Sequence, residues 1–350
     1  MLDWMRPSVK QPTRPRLSSQ DPNNGDTPLH RAVKMALGNV LGEEPLRECL
    51  SDASTTCEQG FEVSELRCAQ RLLNKDGLMP IHLAAARGSV SVCEALLNAG
   101  APINARSMRR EPLVSASATT FCCPPEWGKR AHNGHGELEK VPMADKTALH
   151  FAVGLLCDQQ ENTGEAVEES DMELVRLLLR LGADVNAPDF HGRTPFHLAL
   201  IGGVHEVVAM LADGGADLTK SCRSFGQNNT AIHLATMLRD VRMVALLAAR
   251  GASVDAIGRD GWTPLCLAAR QNSPQVAKAL LDAKADVFAP SHNGKTALDI
   301  ATLNSKRTKT PSAVLLLLQH EVAVRVLEIA FKRLDALKHS KASAAAVEVE

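Results

Sequence analysis

The segment Thr194-Pro195-Phe196-His197-Leu198-Ala199 decides the fold, because its pattern of residue types returns along the chain. Four clear copies are Thr27-Pro28-Leu29-His30-Arg31-Ala32, Pro80-Ile81-His82-Leu83-Ala84, Thr147-Ala148-Leu149-His150-Phe151-Ala152 and Thr230-Ala231-Ile232-His233-Leu234-Ala235. Weaker copies are Thr263-Pro264-Leu265-Cys266-Leu267-Ala268, Thr296-Ala297-Leu298-Asp299-Ile300-Ala301 and the degenerate Pro112-Leu113-Val114-Ser115-Ala116. Such internal repetition predicts an array of similar structural units.

The spacing of the copies identifies the kind of unit. The position filled by Pro28 recurs at 80, 112, 148, 195, 231, 264 and 297, and the last three steps are 36, 33 and 33 residues. Thr-Pro-Leu-His-x-Ala at a period of about 33 residues is the signature of the ankyrin repeat. From about residue 25 to about residue 320, the chain therefore resembles an ankyrin-repeat protein. The longer steps imply insertions.

Each unit has the chemistry of two helices followed by a turn. In Thr194-Pro195 the hydroxyl caps the first helix, and proline takes the first helical position, where no N–H is needed. A leucine-rich second helix, such as 174–179, follows, and Gly182 ends it where a left-handed residue is favoured. The sequence predicts an all-α ankyrin-repeat solenoid of about 7–8 helix-turn-helix repeats with finger turns and a C-terminal capping helix.

Departures from the repeat set the expected boundaries. Residues 1–24 are basic and proline-rich and predict a disordered arm, while residues 25–320 form the array. Within the array we expect insertions at 51–70, 122–143 and 158–171. The last of these is acidic and predicts a mobile loop between two helices.

The C-terminal residues predict one more helix. Apolar residues continue at helical spacing after Pro311, so we assign residues 321–338 to a C-terminal helix and 339–350 to a flexible tail. The helix either caps the last repeat or serves in partner binding or oligomerisation. Capping is favoured, because an uncovered terminal repeat exposes its apolar face.

The composition argues against several classes of function. With 39 basic and 40 acidic residues the net charge is −1, which provides no overall field for nucleic acid or a membrane surface. Nine irregularly spaced cysteines predict reduced thiols, and hence a cytoplasmic or nuclear protein. Residues 1–7 contain no apolar segment of a secretory signal, and the longest apolar run, 313–318, is too short to span a bilayer.

The repeated histidines are interpreted as structural. The resemblance implies that this imidazole links neighbouring loops by hydrogen bonds. Cys266 and Asp299 fill the same position in the last copies, which a catalytic role would not permit. The set consists of His30, His82, His150, His197 and His233.

Motifs for catalysis or metal binding are weak. Cys122, Cys123, His132 and His135 could supply four zinc ligands, but adjacent cysteines lack the spacing of known zinc fingers. The chain has no glycine-rich phosphate loop, nucleophile elbow or zinc-protease helix. We therefore predict no enzymatic activity, no cofactor, no metal and no small-molecule substrate.

A modification site is also suggested by the resemblance. Leu178 lies eight residues before Asn186, a pattern similar to sites that asparaginyl hydroxylases modify in ankyrin repeats, and Asn104 is a weaker copy. This motif is nearly the repeat consensus, so a structural asparagine in the turn is the favoured interpretation.

The finger tips carry the residue types that dominate protein interfaces. Ankyrin-repeat proteins bind other proteins through finger tips and the inner helix face, and arginine and aromatic side chains provide most binding energy at interfaces. The candidate partner-binding residues are Arg106, Arg109, Arg110, Phe190, His191, Arg223, Phe225, Arg259, Trp262 and His292.

These observations predict a non-catalytic adaptor or scaffold that binds another protein. A second hypothesis is a fixed structural subunit of a large protein assembly. A third places a metal site or an enzymatic activity in the loop 122–141. No partner identity follows from the residues.

Overall fold

The computed structural model describes residues 20–37, 70–108, 145–163, 169–221, 229–258, 261–308 and 312–347. The regular elements in these ranges are α-helices, and strands are absent from them. The chain divides into two compact units, an N-terminal unit of residues 1–215 and a C-terminal unit of residues 216–350. The all-α prediction is therefore confirmed across the described ranges.

The N-terminal unit is built from helix pairs. Its described helices are α1 (Pro28–Leu37), α2 (Pro80–Ala86), α3 (Val90–Asn98), α4 (Ala148–Thr163), α5 (Glu173–Arg180), α6 (Pro195–Gly202) and α7 (His205–Asp213). The first helices of the repeats pack side by side, α1 on α2, α2 on α4 and α4 on α6. Each of the second helices α3, α5 and α7 packs on the first helix of its own repeat.

The C-terminal unit continues the same pattern and ends in a longer helix. Its described helices are α8 (Ala231–Met237), α9 (Val241–Ala249), α10 (Pro264–Gln271), α11 (Pro274–Asp282), α12 (Ala297–Thr308) and α13 (Ala313–Val347). Helices α8, α10 and α12 pack in order as first helices, while α9 and α11 pack as second helices. Helix α13 contacts α11 and α12.

Local chemistry explains where the helices begin and end. The Thr194 Oγ1 accepts the His197 N–H at 3.4 Å, and the Thr263 Oγ1 accepts the Cys266 N–H at 3.3 Å. Second helices end at a left-handed residue, which is Gly182 with φ 84° after α5 but Lys284 with φ 66° after α11. A side chain in this region is strained because its Cβ crowds the following carbonyl.

Each repeat continues into a finger, the turn that leads to the next first helix. In the finger 187–194, the Asp189 N–H donates to the Arg193 carbonyl at 2.8 Å, and the Asp189 carboxylate accepts two backbone N–H groups. Neighbouring fingers touch, since a Cβ on Gly77 would lie 1.9 Å from the Met108 carbonyl oxygen. Only glycine fits at that contact, where φ is also positive.

Two of the expected irregular segments are shorter than predicted. Residues 20–24 belong to the first finger and not to a disordered arm, because Asp21 and Asn24 cap its turn and the Gly25 N–H donates to the Asp21 carbonyl. The insertion 158–171 is helical through Thr163, since α4 continues over good helix formers such as Gln159 and Gln160. Residues 1–19, 51–69 and 122–143 lie outside the described ranges.

The C-terminal helix also differs from the prediction. Helix α13 runs unbroken from Ala313 to Val347, so neither the boundary at 320/321 nor the expected flexible tail from residue 339 is present up to Val347. This stretch has no glycine or proline to end a helix. Only its first turns cover the last repeat, since Val314 and Leu318 are 0% exposed whereas Leu327 is 57% exposed.

Candidate protein-binding surface

The N-terminal unit brings three of the candidate residues together. The Arg106 guanidinium donates from Nη1 to the Pro188 carbonyl at 3.4 Å, which connects the finger of Arg106 to the finger that carries Phe190 and His191. The Phe190 ring is 49% exposed and packs edge-on to the His191 ring at 5.3 Å. A cationic group and an accessible aromatic ring therefore lie on adjacent fingers.

The C-terminal unit places two further candidates on touching fingers. A Cβ on Gly261 would lie 2.4 Å from the Cβ of His292, so the fingers of Trp262 and His292 are in close contact. The Trp262 ring is half-buried and lies 5.5 Å from the Arg270 guanidinium carbon, a cation–π arrangement with the end of α10. The His292 side chain is exposed.

The remaining candidates cannot be placed on this surface. They lie outside the described residues and are Arg109, Arg110, Arg223, Phe225 and Arg259. One continuous stripe through successive repeats therefore stays a prediction.

Several exposed apolar side chains on the fingers are not among the residues predicted from the sequence. Met108 is 60% exposed, Ile257 is 69% exposed and Phe288 is 44% exposed. Ile257 comes directly before Gly258 in a finger turn, and this position alone could have drawn attention to it. A partner that binds the tips would meet apolar groups as well as cations.

The ends of the first helices in the C-terminal unit add a basic, partly apolar face. Leu238, directly after α8, and Leu303, in the middle of α12, are each 44% exposed. A cleft of about 300 Å³ in the same unit is lined by Arg270, Asn272, Asn304, Arg307 and Ser312. Apolar residues near the end of a helix resemble core residues in sequence, so this face had no distinct signal.

The repeated histidines form hydrogen bonds from one repeat to the next. The Thr147 N–H donates to Nδ1 of His150 at 3.1 Å. The ring proton of His150 is therefore on Nε2, which donates to the Arg193 carbonyl at 3.1 Å. Three more such bonds run from His30 to the Leu78 carbonyl, from His82 to the Ala105 carbonyl and from His233 to the Trp262 carbonyl. All three are 3.0 Å long.

The histidine rings are held neutral by burial. Loss of hydration lowers the pKa of His82 to about 4 and that of His150 to about 4. Burial also lowers the pKa values of His30 and His233. These four rings are therefore structural links and not accessible acids or bases.

Asn186 makes structural hydrogen bonds in its turn. Its Nδ2 donates to the Gly215 carbonyl at 3.0 Å, and its N–H donates to the Asp184 carboxylate at 2.9 Å. The side chain of Asn104 accepts the Asp184 N–H at 2.8 Å. Both asparagines therefore hold neighbouring turns together, in keeping with the structural interpretation.

Metal-binding and membrane-spanning features are absent from the described ranges. Among those residues, no group of three or more His, Cys, Asp or Glu side chains could hold a metal ion. No helix within them is long and apolar enough to cross a bilayer. The Cys122, Cys123, His132 and His135 set lies outside the described residues.

Comparison with protein families matches three segments of the chain. Residues 76–108 match the family described as "Ankyrin repeat". Residues 164–257 match "Ankyrin repeats (3 copies)", and residues 247–301 match "Ankyrin repeats (many copies)". These segments contain the fingers of Phe190, Trp262 and His292.

Individual relatives share the same segments. This chain is 34% identical to the nuclear factor NF-kappa-B p105 subunit of Gallus gallus over 138 residues. The match covers 39% of this chain and 14% of that protein. This chain is 33% identical to the human B-cell lymphoma 3 protein over 162 residues. The match covers 43% of this chain and 34% of that protein. The chain thus matches about a third or less of either relative.

A solved structure has the same fold. The ankyrin repeat domain of Bcl-3, described as a unique member of the IkappaB protein family, superposes with a TM-score of 0.57 at 21% identity. The superposition covers 85% of this chain and 99% of that domain. At this identity the likeness concerns the fold alone.

Proposed function

This chain is an ankyrin-repeat protein, and we propose that it acts as a non-catalytic adaptor or scaffold that binds another protein through its finger tips and inner helix face. The observation that carries the proposal is the exposure of aromatic, apolar and cationic side chains on adjacent fingers. Arg106 and Phe190 supply it in one unit, and Ile257, Phe288 and His292, beside the half-buried Trp262, supply exposed apolar and polar groups in the other. A cytoplasmic or nuclear site of action accompanies this proposal.

The side chains define the chemistry of the partner. Arg106 on the tips favours an acidic surface, while Phe190, Trp262 and Ile257 require apolar pockets. The buried histidines and the aliphatic core offer no competing surface, because solvent does not reach them. We expect a protein partner with acidic groups around one or more apolar depressions.

The test begins with affinity purification of the full chain and identification of bound proteins by mass spectrometry. The dissociation constant of the purified partner is then measured for Phe190→Ala and Trp262→Ala. Each substitution is expected to weaken binding about 30-fold, which corresponds to about 2 kcal/mol at an interface centre. Leu181→Ala is the matched control, since Leu181 is 45% exposed at the end of α5 and outside the fingers.

Folding is checked beside affinity, because Trp262 precedes the Thr263 cap of α10. Circular dichroism and unfolding midpoints therefore accompany every binding curve. Normal binding by both tip variants, with binding lost on deletion of 122–141 or 158–171, would reject the finger surface in favour of the insertions. Slow partner exchange over hours would instead favour a fixed subunit of an assembly.

A further inference from the structure

The first helices of the C-terminal unit present one basic side chain between two apolar ones. Met237, Arg270 and Leu303 each stand four residues after the signature histidine position of their own repeat. Because α8, α10 and α12 pack side by side in that order, the three residues form a row on one face. Leu303 is 44% exposed, Arg270 is exposed and Met237 is half-buried. We call this row the Arg270 patch.

Hydrogen bonds between the helix ends fix the spacing of the Arg270 patch. The Arg239 Nη2 donates to the Gln271 carbonyl at 3.0 Å, and the Gln271 Nε2 donates to the Met237 carbonyl at 3.2 Å. On the other side of α10, the Asn304 Nδ2 donates to the Arg270 carbonyl at 3.1 Å. The patch is therefore formed before a partner arrives, and binding does not have to order it.

The Arg270 guanidinium is held in place, but its charge is not neutralised. Its central carbon lies 5.5 Å from the centre of the Trp262 ring, in a cation–π contact. Within the described ranges, no carboxylate forms an ion pair with Arg270. A cation–π contact is made with the charge of the guanidinium and not with its five N–H donors, which can pair with a carboxylate.

The charges of the surrounding helices favour an anionic partner. Besides histidine, α8, α10 and α12 carry the basic residues Arg270, Lys306 and Arg307 and one acidic residue, Asp299. The Asp299 carboxylate already accepts the Thr296 N–H and hydroxyl, both at 2.9 Å, at the start of α12. A carboxylate that enters the Arg270 patch therefore meets an excess of positive charge.

We propose that the Arg270 patch binds the carboxylate of an Asp or Glu side chain that is flanked by apolar residues in a segment of a partner protein. The inference rests on the proposed function and names the group that the inner helix face recognises. One guanidinium pairs with one carboxylate through two parallel N–H bonds, while Met237 and Leu303 contact the flanking apolar groups. A nucleic-acid backbone would meet these two apolar side chains where it requires further cations.

The test is a peptide selection on the full chain. A phage-displayed library of random linear peptides is depleted on Arg270→Glu and then panned on wild type. The enriched peptides should share an Asp or Glu between apolar residues, and the synthesised peptides should bind Arg270→Glu about 30-fold more weakly than wild type. Arg242→Glu is the matched control, because Arg242 is an exposed arginine on the second helix α9 of the same unit, and it should bind like wild type.

Two further measurements separate recognition from folding. Unfolding midpoints are compared for all variants, and Arg270→Gln, which keeps the aliphatic stem, replaces Arg270→Glu if charge reversal lowers the midpoint. Trp262→Ala should weaken peptide binding in wild type and have little further effect in Arg270→Ala, because Trp262 acts by positioning Arg270. Equal effects of Trp262→Ala in both backgrounds would overturn that positioning role.

The outcomes distinguish this inference from the proposed function. An absence of enrichment after depletion, or enriched peptides without a shared acidic residue, would overturn the carboxylate site. If the only peptides bound were those removed by the depletion, and they lost affinity for Phe190→Ala, the Arg270 proposal would fall while the proposed function would stand. A chain that retains neither peptides nor a purified protein would reject both.

Discussion

The repeats that carry the signature histidine and the two C-terminal repeats that lack it are held together differently. In the first group one imidazole caps its own helix through Nδ1 and bonds to the next finger through Nε2. In the last repeat, the Asp299 carboxylate accepts the Thr296 N–H and hydroxyl, both at 2.9 Å. The cap is retained there, but a carboxylate has no proton to donate onward.

Cys266 shows how the missing bond is replaced. Its thiol is buried, and in the following finger the carbonyl of Lys295 occupies the place that Arg193 and Trp262 have in the histidine repeats. The Ser291 hydroxyl donates to that carbonyl at 2.8 Å, from within the same finger. Capping a helix and linking repeats are therefore separable roles, and in the C-terminal repeat the carbonyl is satisfied within its own finger and not by the preceding repeat.

Acidification should cause the largest loss of stability among these predictions, and the loss should come from the histidine repeats. The histidines of the unfolded chain take up protons near pH 6.5. In the folded chain, burial keeps His82 and His150 neutral until about pH 4. Stability is thus complete above pH 6.5 and falls as the pH drops to about 4. The loss is about 3 kcal/mol for each of the two rings. Urea unfolding between pH 7.5 and 4.5 measures it. A flat profile would contradict neutral, buried rings.

Truncation of a linking histidine should lower the free energy of unfolding more than truncation of Cys266, which fills the histidine position in a later repeat. His82→Ala leaves the Ala105 carbonyl without its donor in a buried site, and we expect a loss of about 3 kcal/mol. Cys266→Ala removes one buried atom and no bond between repeats, with an expected loss of about 1 kcal/mol. Denaturant midpoints at pH 7.5 compare them. Equal losses would remove the distinction between the two kinds of repeat.

The Ser291 hydroxyl should contribute to stability only because the residue at position 266 is cysteine and not histidine. Ser291→Ala removes the hydroxyl bond to the Lys295 carbonyl, and we expect a loss of about 1 kcal/mol. Cys266→His supplies a new donor toward the same carbonyl, so the double variant should lose less than Ser291→Ala alone. A double-mutant cycle of unfolding free energies reads out this coupling. Strict additivity would show that the two side chains do not share the carbonyl.

Lys284→Gly should give the smallest change, and a stabilising one. Lys284 stands at φ 66° where the histidine repeats have glycine, and glycine relieves about 1 kcal/mol of strain at such a position. Ala283→Gly is the matched control: its φ of −78° favours no glycine, so it should destabilise. Unfolding free energies of the two variants provide the test. A lower value for Lys284→Gly would show that the lysine side chain contributes other contacts.

Local chemistry made much of the fold predictable from the chain alone. Thr194 and Thr263 predict where helices begin, because a hydroxyl next to the first turn accepts a hydrogen bond from an otherwise unpaired N–H. Alignment of Lys284 with the glycines predicts its left-handed conformation for the same kind of reason, since the required backbone geometry recurs with the repeat. The structural role of the histidines also follows from their regular recurrence.

Long-range packing decided the rest. The sequence predicts a helix after Pro311, but only the packing on α11 and α12 shows that Val314 and Leu318 are covered while Leu327 and Leu334 are not. Proximity of Arg106 to the Phe190 finger likewise depends on how two fingers, 82 residues apart, meet. Residue types and spacings predict which groups cap, turn and bury, whereas accessible surface depends on neighbours that are distant in the chain.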